Sequence, residues 1–339
     1  MTKHILALVL VAACGSSSPD YQTDVVNEMH DSIDSDLANL VTAAKALQAA
    51  APTHAWDATA DAAAITAMKS AWLDTRTAYE HVEGATAPIF PQFDTSMDAR
   101  YDDFLTMLGS AGDPDPFDDV GITGMHGIER ILYADVIPQK VIDFESTLPG
   151  YAAASFPTTD AEAMEYQSKL CQKLIDDAQS LHDQWTPTVI DVGAAYQGLV
   201  GLMNEQAEKV NLAATGEEES RYAQTTLFDL RNNLDGTTKI YDYFQPWIDS
   251  HSGGNGVDSM IQSGFDTLGT LYMADQGDAL PAVPSDWSSD DPSQTDLQSP
   301  FGMLWESVHQ AVDPTTMGSV VFEMNMAATM LGFPQFVED

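Results

Sequence analysis

The stretch VVNEMHDSIDSDLANLVTAAKALQAA, residues 25–50, sets Val26, Met29, Ile33, Leu37, Leu40, Val41, Ala44 and Leu47 mostly three and four positions apart. That spacing returns to one side of a helix at every turn and predicts an amphipathic α-helix over 25–50. The same period recurs along the chain. Asp57 or Thr59 can cap a second helix running to about Glu83, with Ile65, Met68, Trp72, Tyr79 and Val82 on its apolar stripe. Pro88 and Pro91 break the chain, and Asp94 or Thr95 opens a helix through Met97, Tyr101, Phe104, Leu105 and Leu108. Residues 109–121 form a loop of Gly, Asp and Pro, and a helix resumes near Met125 and runs through Tyr133. After a turn-rich stretch at 146–160, helices are expected at 160–184, 193–213, 223–249, 256–275 and 302–331, the last interrupted near Pro314. A Ser/Asp/Pro loop fills 276–300. No segment sustains the alternation of a strand. The expectation is an all-α chain of two packed helical bundles, 25–150 and 151–339, of four-helix-bundle type with a cleft between them.

The first residues read as an export signal. Lys3 supplies a positive start, Ile5 to Val11 is an apolar run too short to span a bilayer, and Val11-Ala12-Ala13-Cys14 has the form of a lipobox. Cleavage there would leave Cys14 as a lipidated N-terminus (residues 1–14 removed up to the cysteine), with residues 15–24 as a flexible tether. The plainer alternative is an ordinary secretory signal with a chance cysteine. With Cys14 carrying lipid, Cys171 stands alone, so a cysteine-based zinc site and an internal disulfide are both excluded. Asp and Glu number 52 against 13 Lys and Arg, a formal net charge of -39. Such a surface repels phosphate backbones, which argues against nucleic acid as a partner, and it attracts cations. Most of these carboxylates are solvated and serve solubility.

The chemistry concentrates in Gly124-Met125-His126-Gly127-Ile128-Glu129. On a helix, His126 and Glu129 share a face, their Cβ atoms roughly 5–6 Å apart. An imidazole nitrogen and a carboxylate oxygen can then bind one transition metal, with further ligands from elsewhere. Spacing alone equally fits a His–Glu hydrogen bond. Other chemistries are poorly served. There is no HExxH, Arg130 stands where an inverted HxxEH motif needs His, and no GxSxG elbow occurs. The loop from Asp113 to Asp119 lacks EF-hand spacing and reads as a rigid acidic turn. His81 reads as solvent-facing, and the six tryptophans as core or interface residues.

The hexapeptide satisfies the GxHxxE signature of imelysin-like proteins, a group that includes imelysins, iron-regulated proteins and the EfeO and EfeM components of bacterial iron uptake. The stretch Ala71–Glu83 resembles that family's Trp/Arg/Tyr helix, and Asp94 through Arg100 is similar to the acidic segment that follows in the EfeO branch. Asn204-Glu205, Gly216 to Tyr222 and Thr226 to Leu234 are similar to its second-bundle motif. The resemblance implies metal ligation by Glu80, Glu83, Asp98 and Glu205 beside His126 and Glu129. Pairing of Glu80 with Arg76, four residues earlier, is the structural alternative. Gln224 and Thr226 stand near where the EfeO branch carries a His and an Asp. The expected function is a noncatalytic, iron-class cation-binding lipoprotein of iron uptake or delivery, with zinc or calcium as alternative metals. It would sit on the periplasmic face of the outer membrane or on a bacterial cell surface, with an iron permease or a peroxidase as partner. A metal-dependent peptidase of imelysin type and a non-metal adhesion protein for a polysaccharide or surface partner are the rival classes.

The anchor is directly testable. Cys14→Ser should move the protein from the membrane pellet to the soluble fraction and remove the acyl mass from its N-terminus; an unchanged distribution refutes the lipobox.

Overall fold

The computed structural model describes residues 19–274 and 277–337, so the expected export segment and Cys14 lie outside the described residues. The fold is all-α, with no strand among the described residues. Helix α1 (Tyr21–Ala50) is capped by Asp20, whose carboxylate accepts from the Thr23 amide at 3.2 Å. It buries the expected stripe, with Val25 rather than Val26 at its first turn. Helix α2 (Ala62–Glu80) ends three residues earlier than the periodicity suggests. His81 and Val82 form a turn, and a single helical turn follows as α3 (Glu83–Thr86). Helices α4 (Pro91–Asp98), α5 (Tyr101–Leu108), α6 (Gly124–Leu132) and α7 (Gln139–Glu145) are short. Helix α8 (Asp160–Glu165) opens with a reciprocal cap between Thr159 and Glu162, then passes through a π-helical turn at Tyr166–Leu170 into α9 (Cys171–Trp185). The second half comprises α10 (Val192–Leu212), α11 (Thr226–Asp249), α12 (Gly254–Met273), α13 (Pro300–Val312) and α14 (Val320–Leu331). The break between α13 and α14 coincides with the expected interruption near Pro314.

Helix α1 packs along α2 and α9, and α6 lies against α2, α4 and α9. Helix α9, which follows residue 150, therefore packs with the first group of helices. The Trp185 indole donates to the His30 carbonyl at 3.1 Å, and the Gln48 and Gln172 amides meet at 3.0 Å. The second group packs α10 on α11, α13 and α14, with α12 outside α11 and α14. One apolar core runs through both groups, from Val25 to Leu331.

The groups meet where α2 stops. Helix α10 packs on α3, and α11 crosses α2 and α3. Two glycines permit this approach. A Cβ at Gly198 would press into the Gly84 carbonyl and Pro88, and one at Gly236 would lie 2.6 Å from the His81 carbonyl oxygen. The α2–α3 turn is thereby clamped between α10 and α11, which brings the acidic residues of both halves together.

Gly236→Ala should destabilise the protein by ~1–3 kcal/mol, because the clash is with backbone that has no rotamer to change. Thermal unfolding checks this, and an unchanged Tm would show that the two helices can part without cost.

Candidate metal centre

Gly124 opens α6 with φ at 73°, and a Cβ there would lie 2.8 Å from the Ser96 carbonyl oxygen. The first glycine of the signature is thus a packing requirement: it lets α6 start against the end of α4. Trp72 of α2 pins the same turn, its indole donating to the Met125 carbonyl at 3.0 Å. His126 and Glu129 are consequently buried, and they do face each other. His126 Nδ1 and Glu129 Oε2 are 2.8 Å apart. The other Glu129 oxygen accepts from the Tyr222 and Ala223 amides at 3.0 and 2.8 Å. Both of its oxygens are engaged, so Glu129 orients the imidazole from behind, as carboxylates behind metal-binding histidines do.

His126 Nε2 points the other way. It is buried without a hydrogen bond and lies 3.4 Å from Asp98 Oδ1 and 3.6 Å from Glu219 Oε1. These three side chains bring ligand-type atoms within 4.8 Å of one another. Asp98 and Glu219 also form part of the wall of a cleft of about 300 Å³, which Glu83, Asp94 and Glu205 help to line. An imidazole nitrogen with two carboxylates, opening on a cleft lined by five more, is a donor set that fits a divalent cation of the iron, manganese or zinc type.

Two basic side chains hold the cluster together. The Arg76 guanidinium is fully buried and pairs with Glu80 and Asp98, and it reaches Glu219 at 3.2 Å and Asp229 at 3.3 Å. The sequence alternative for Glu80, pairing with Arg76, is present. Asn233 donates to Glu80 as well, and to Glu83 at 2.8 Å. Lys209 stands on the opposite side, 3.1 Å from Asn233 Oδ1.

Of the residues singled out from sequence, His126 and Asp98 converge, Glu129 supports His126, Glu80 is tied to Arg76 and Asn233, and Glu83 and Glu205 line the cleft. His126 and Glu129 do not line the cleft wall. Sequence reasoning missed Glu219, Asp229, Asp94, Lys209 and Asn233. Glu219 comes from a tight turn after Gly216. There the Arg221 guanidinium binds the Glu217 and Glu218 carbonyls, and Glu218 is drawn off toward Lys140 and Gln224, each at 2.7 Å. Gln224 adopts a left-handed φ of 56° to close that turn into α11. The available signal was three successive acids, Glu217 to Glu219, between Gly216 and Arg221.

The electrostatics follow from burial. Burial and the charge of Asp98 push the Asp94 carboxyl up to about 7, although the Tyr79 hydroxyl donates to it at 2.7 Å. Burial lifts Asp229 to about 6 against the pull of Arg76. Glu205 is exposed at the cleft rim, yet desolvation by the walls and the charge of Glu83 still raise it. For Asp98, burial is outweighed by Arg76 and His126, which hold it low. Burial and Arg76 oppose a charge on His126, but the surrounding carboxylates Asp98, Glu129 and Glu219 prevail and raise it well above the ordinary imidazole range.

The imelysin family model matches residues 33–278. The chain belongs to the imelysin family. An EfeM/EfeO family lipoprotein of Staphylococcus aureus (strain MSSA476) is 32% identical over 149 residues, 44% of this chain and 42% of that protein. The iron uptake system component EfeM of Pseudomonas syringae pv. syringae (strain B728a) is 28% identical over 204 residues, 60% of this chain and 57% of that one. The chain thus spans about half the length of these curated relatives. A solved structure from Parabacteroides distasonis, described as a candidate iron-regulated protein A precursor, superposes with a TM-score of 0.61. It shares 13% identity, covering 94% of this imelysin-family chain and 97% of that one, and the likeness is one of fold. No helix among the described residues is long and apolar enough to cross a membrane.

Raised carboxyls bind protons more tightly in the folded than in the unfolded chain, so their contribution to stability falls as pH rises from the ordinary value of 3.8 through the folded one. His126 acts in the same direction, and the depressed Asp98 contributes only below this window. The metal-free protein should therefore unfold at a lower temperature at pH 8 than at pH 5. Differential scanning calorimetry after exhaustive chelation tests this, and a Tm that rises over that range contradicts it.

Proposed function

We propose that this imelysin-family protein binds an iron-class cation outside the cytoplasm and serves iron uptake or delivery without catalysing a reaction. The observation that carries this reading is the convergence of His126 Nε2, Asp98 and Glu219 beneath an acidic cleft. His126, Asp98 and Glu219 would hold the cation, and Glu129 would keep the imidazole aimed at it. Glu83, Asp94 and Glu205 would form the approach, with Glu205 at the exposed rim and Glu83 and Asp94 deeper in the wall. Glu80 would serve the scaffold through Arg76 and Asn233. A cation would supply positive charge among carboxyls that otherwise hold protons or share Arg76, so binding would release protons. Relatives named as EfeM/EfeO lipoproteins and as an iron uptake component support the iron assignment and an extracytoplasmic site. Anchoring at Cys14, placement on the outer membrane or cell surface, and a permease or peroxidase as recipient belong to the same proposal. Zinc and calcium are the competing metals, and the mixed imidazole and carboxylate donors favour a transition metal over calcium.

Metal analysis of the purified chain, with calorimetric titration of Fe(II) under anoxia, tests the reading. His126→Ala should abolish stoichiometric binding, and Glu129→Gln should weaken it by ~10–100-fold, the usual cost of losing the carboxylate behind a ligating histidine. Wild-type metal content in His126→Ala would remove the basis of the proposal.

A further inference from the structure

Lys209 lies where three carboxylates converge. It is buried, and its Nζ is 3.5 Å from Glu219 Oε2, 3.7 Å from Glu83 Oε2 and 4.0 Å from Glu80 Oε2, with one hydrogen bond of 3.1 Å to Asn233 Oδ1. The ammonium thus sits inside an oxygen cage and makes no short ion pair with any one wall. Glu219 faces both ways. Its Oε1 is directed to His126 and Arg76, and its Oε2 to Lys209. A carboxylate that presents one oxygen to each of two adjacent positive centres is the bridging arrangement of paired-cation sites. Here one of the two centres is an amino-acid side chain.

We propose that Lys209 is a built-in second cation, occupying the Glu80/Glu83/Glu219 half of the cluster and limiting the protein to one metal ion per chain. This rests on the functional reading above and deepens it. A permanently bound ammonium leaves only the His126/Asp98/Glu219 half open. It also places a positive charge beside the shared carboxylate, which weakens the hold on the incoming ion. Both consequences suit a carrier that must give up its ion. Glu80 and Glu83 then belong to the lysine's cage and do not ligate the metal.

The test titrates Mn(II), a redox-stable probe for oxygen-rich sites, into the chelated full chain, with calorimetry for affinity and electron paramagnetic resonance for stoichiometry. Wild type should bind one ion and Lys209→Met two, and spin coupling should appear in the doubly loaded variant. A single ion at unchanged affinity in a folded Lys209→Met, or two ions in wild type, overturns the inference. If Lys209→Met does not fold, Glu83→Gln decides the matter. It should still bind one ion per chain; loss of that ion makes Glu83 a ligand and refutes the cage. The two readings separate cleanly. If wild type binds nothing and Lys209→Met binds one ion, the lysine's occupation of its half of the cluster stands, while the one-ion limit and the proposed function fall. If neither binds, both fall.

Discussion

The Arg76 guanidinium is the interaction on which the rest of the structure depends. It is inaccessible to solvent and contacts four carboxylates, Glu80, Asp98, Glu219 and Asp229, contributed by α2, α4, the 216–225 turn and α11. Each of those groups carries a desolvation cost that no single apolar contact offsets. One delocalised cation with five donors can serve several of them at once, which a lysine in the same place could not. Removing it would leave like charges facing one another in a weakly screened interior, where their repulsion far exceeds its value in water. The arrangement is therefore a condition of bringing the two groups of helices together.

The scaffold around it is organised to deliver side chains from distant parts of the chain to one point. Helix α2 stops at Glu80 and restarts at Glu83, so the two acids are separated by a turn and still share the Asn233 amide. Gly198 and Gly236 let α10 and α11 close on that turn. Gly124 lets α6 begin against α4, which sets His126 against Asp98. In each case the missing side chain matters because backbone must approach backbone. The carboxylates so gathered are only partly matched by the positive charges of Arg76 and Lys209.

Much of this was legible beforehand. Helical periodicity located the long helices within a few residues, and the GxHxxE pattern falls on the turn of helix that sets His126 beside Asp98 and Glu219. Asp98, Glu83 and Glu205, which the family resemblance offered as ligands, lie in the cluster or its cleft. What was not legible is instructive. Glu219 lies in a nonperiodic turn, and neither spacing nor charge distinguishes it from Glu217 or Glu218. Its direction is set by Arg221, Lys140 and Gln224 drawing the neighbouring groups aside. Glu129 looked like a ligand because it shares a helix face with His126. The backbone amides of Tyr222 and Ala223, more than ninety positions away in sequence, engage its second oxygen.

The sequence by itself determined the helical class, the acidic composition and the His–Glu turn, because these follow from local periodicity, residue counts and short spacing. Tertiary structure alone decided which acids face His126, which face Arg76 or Lys209, and which merely face water. The reason is physical. A carboxylate's role depends on the distance to charges on other helices and on how far packing removes it from solvent, and neither quantity exists until the helices are in contact.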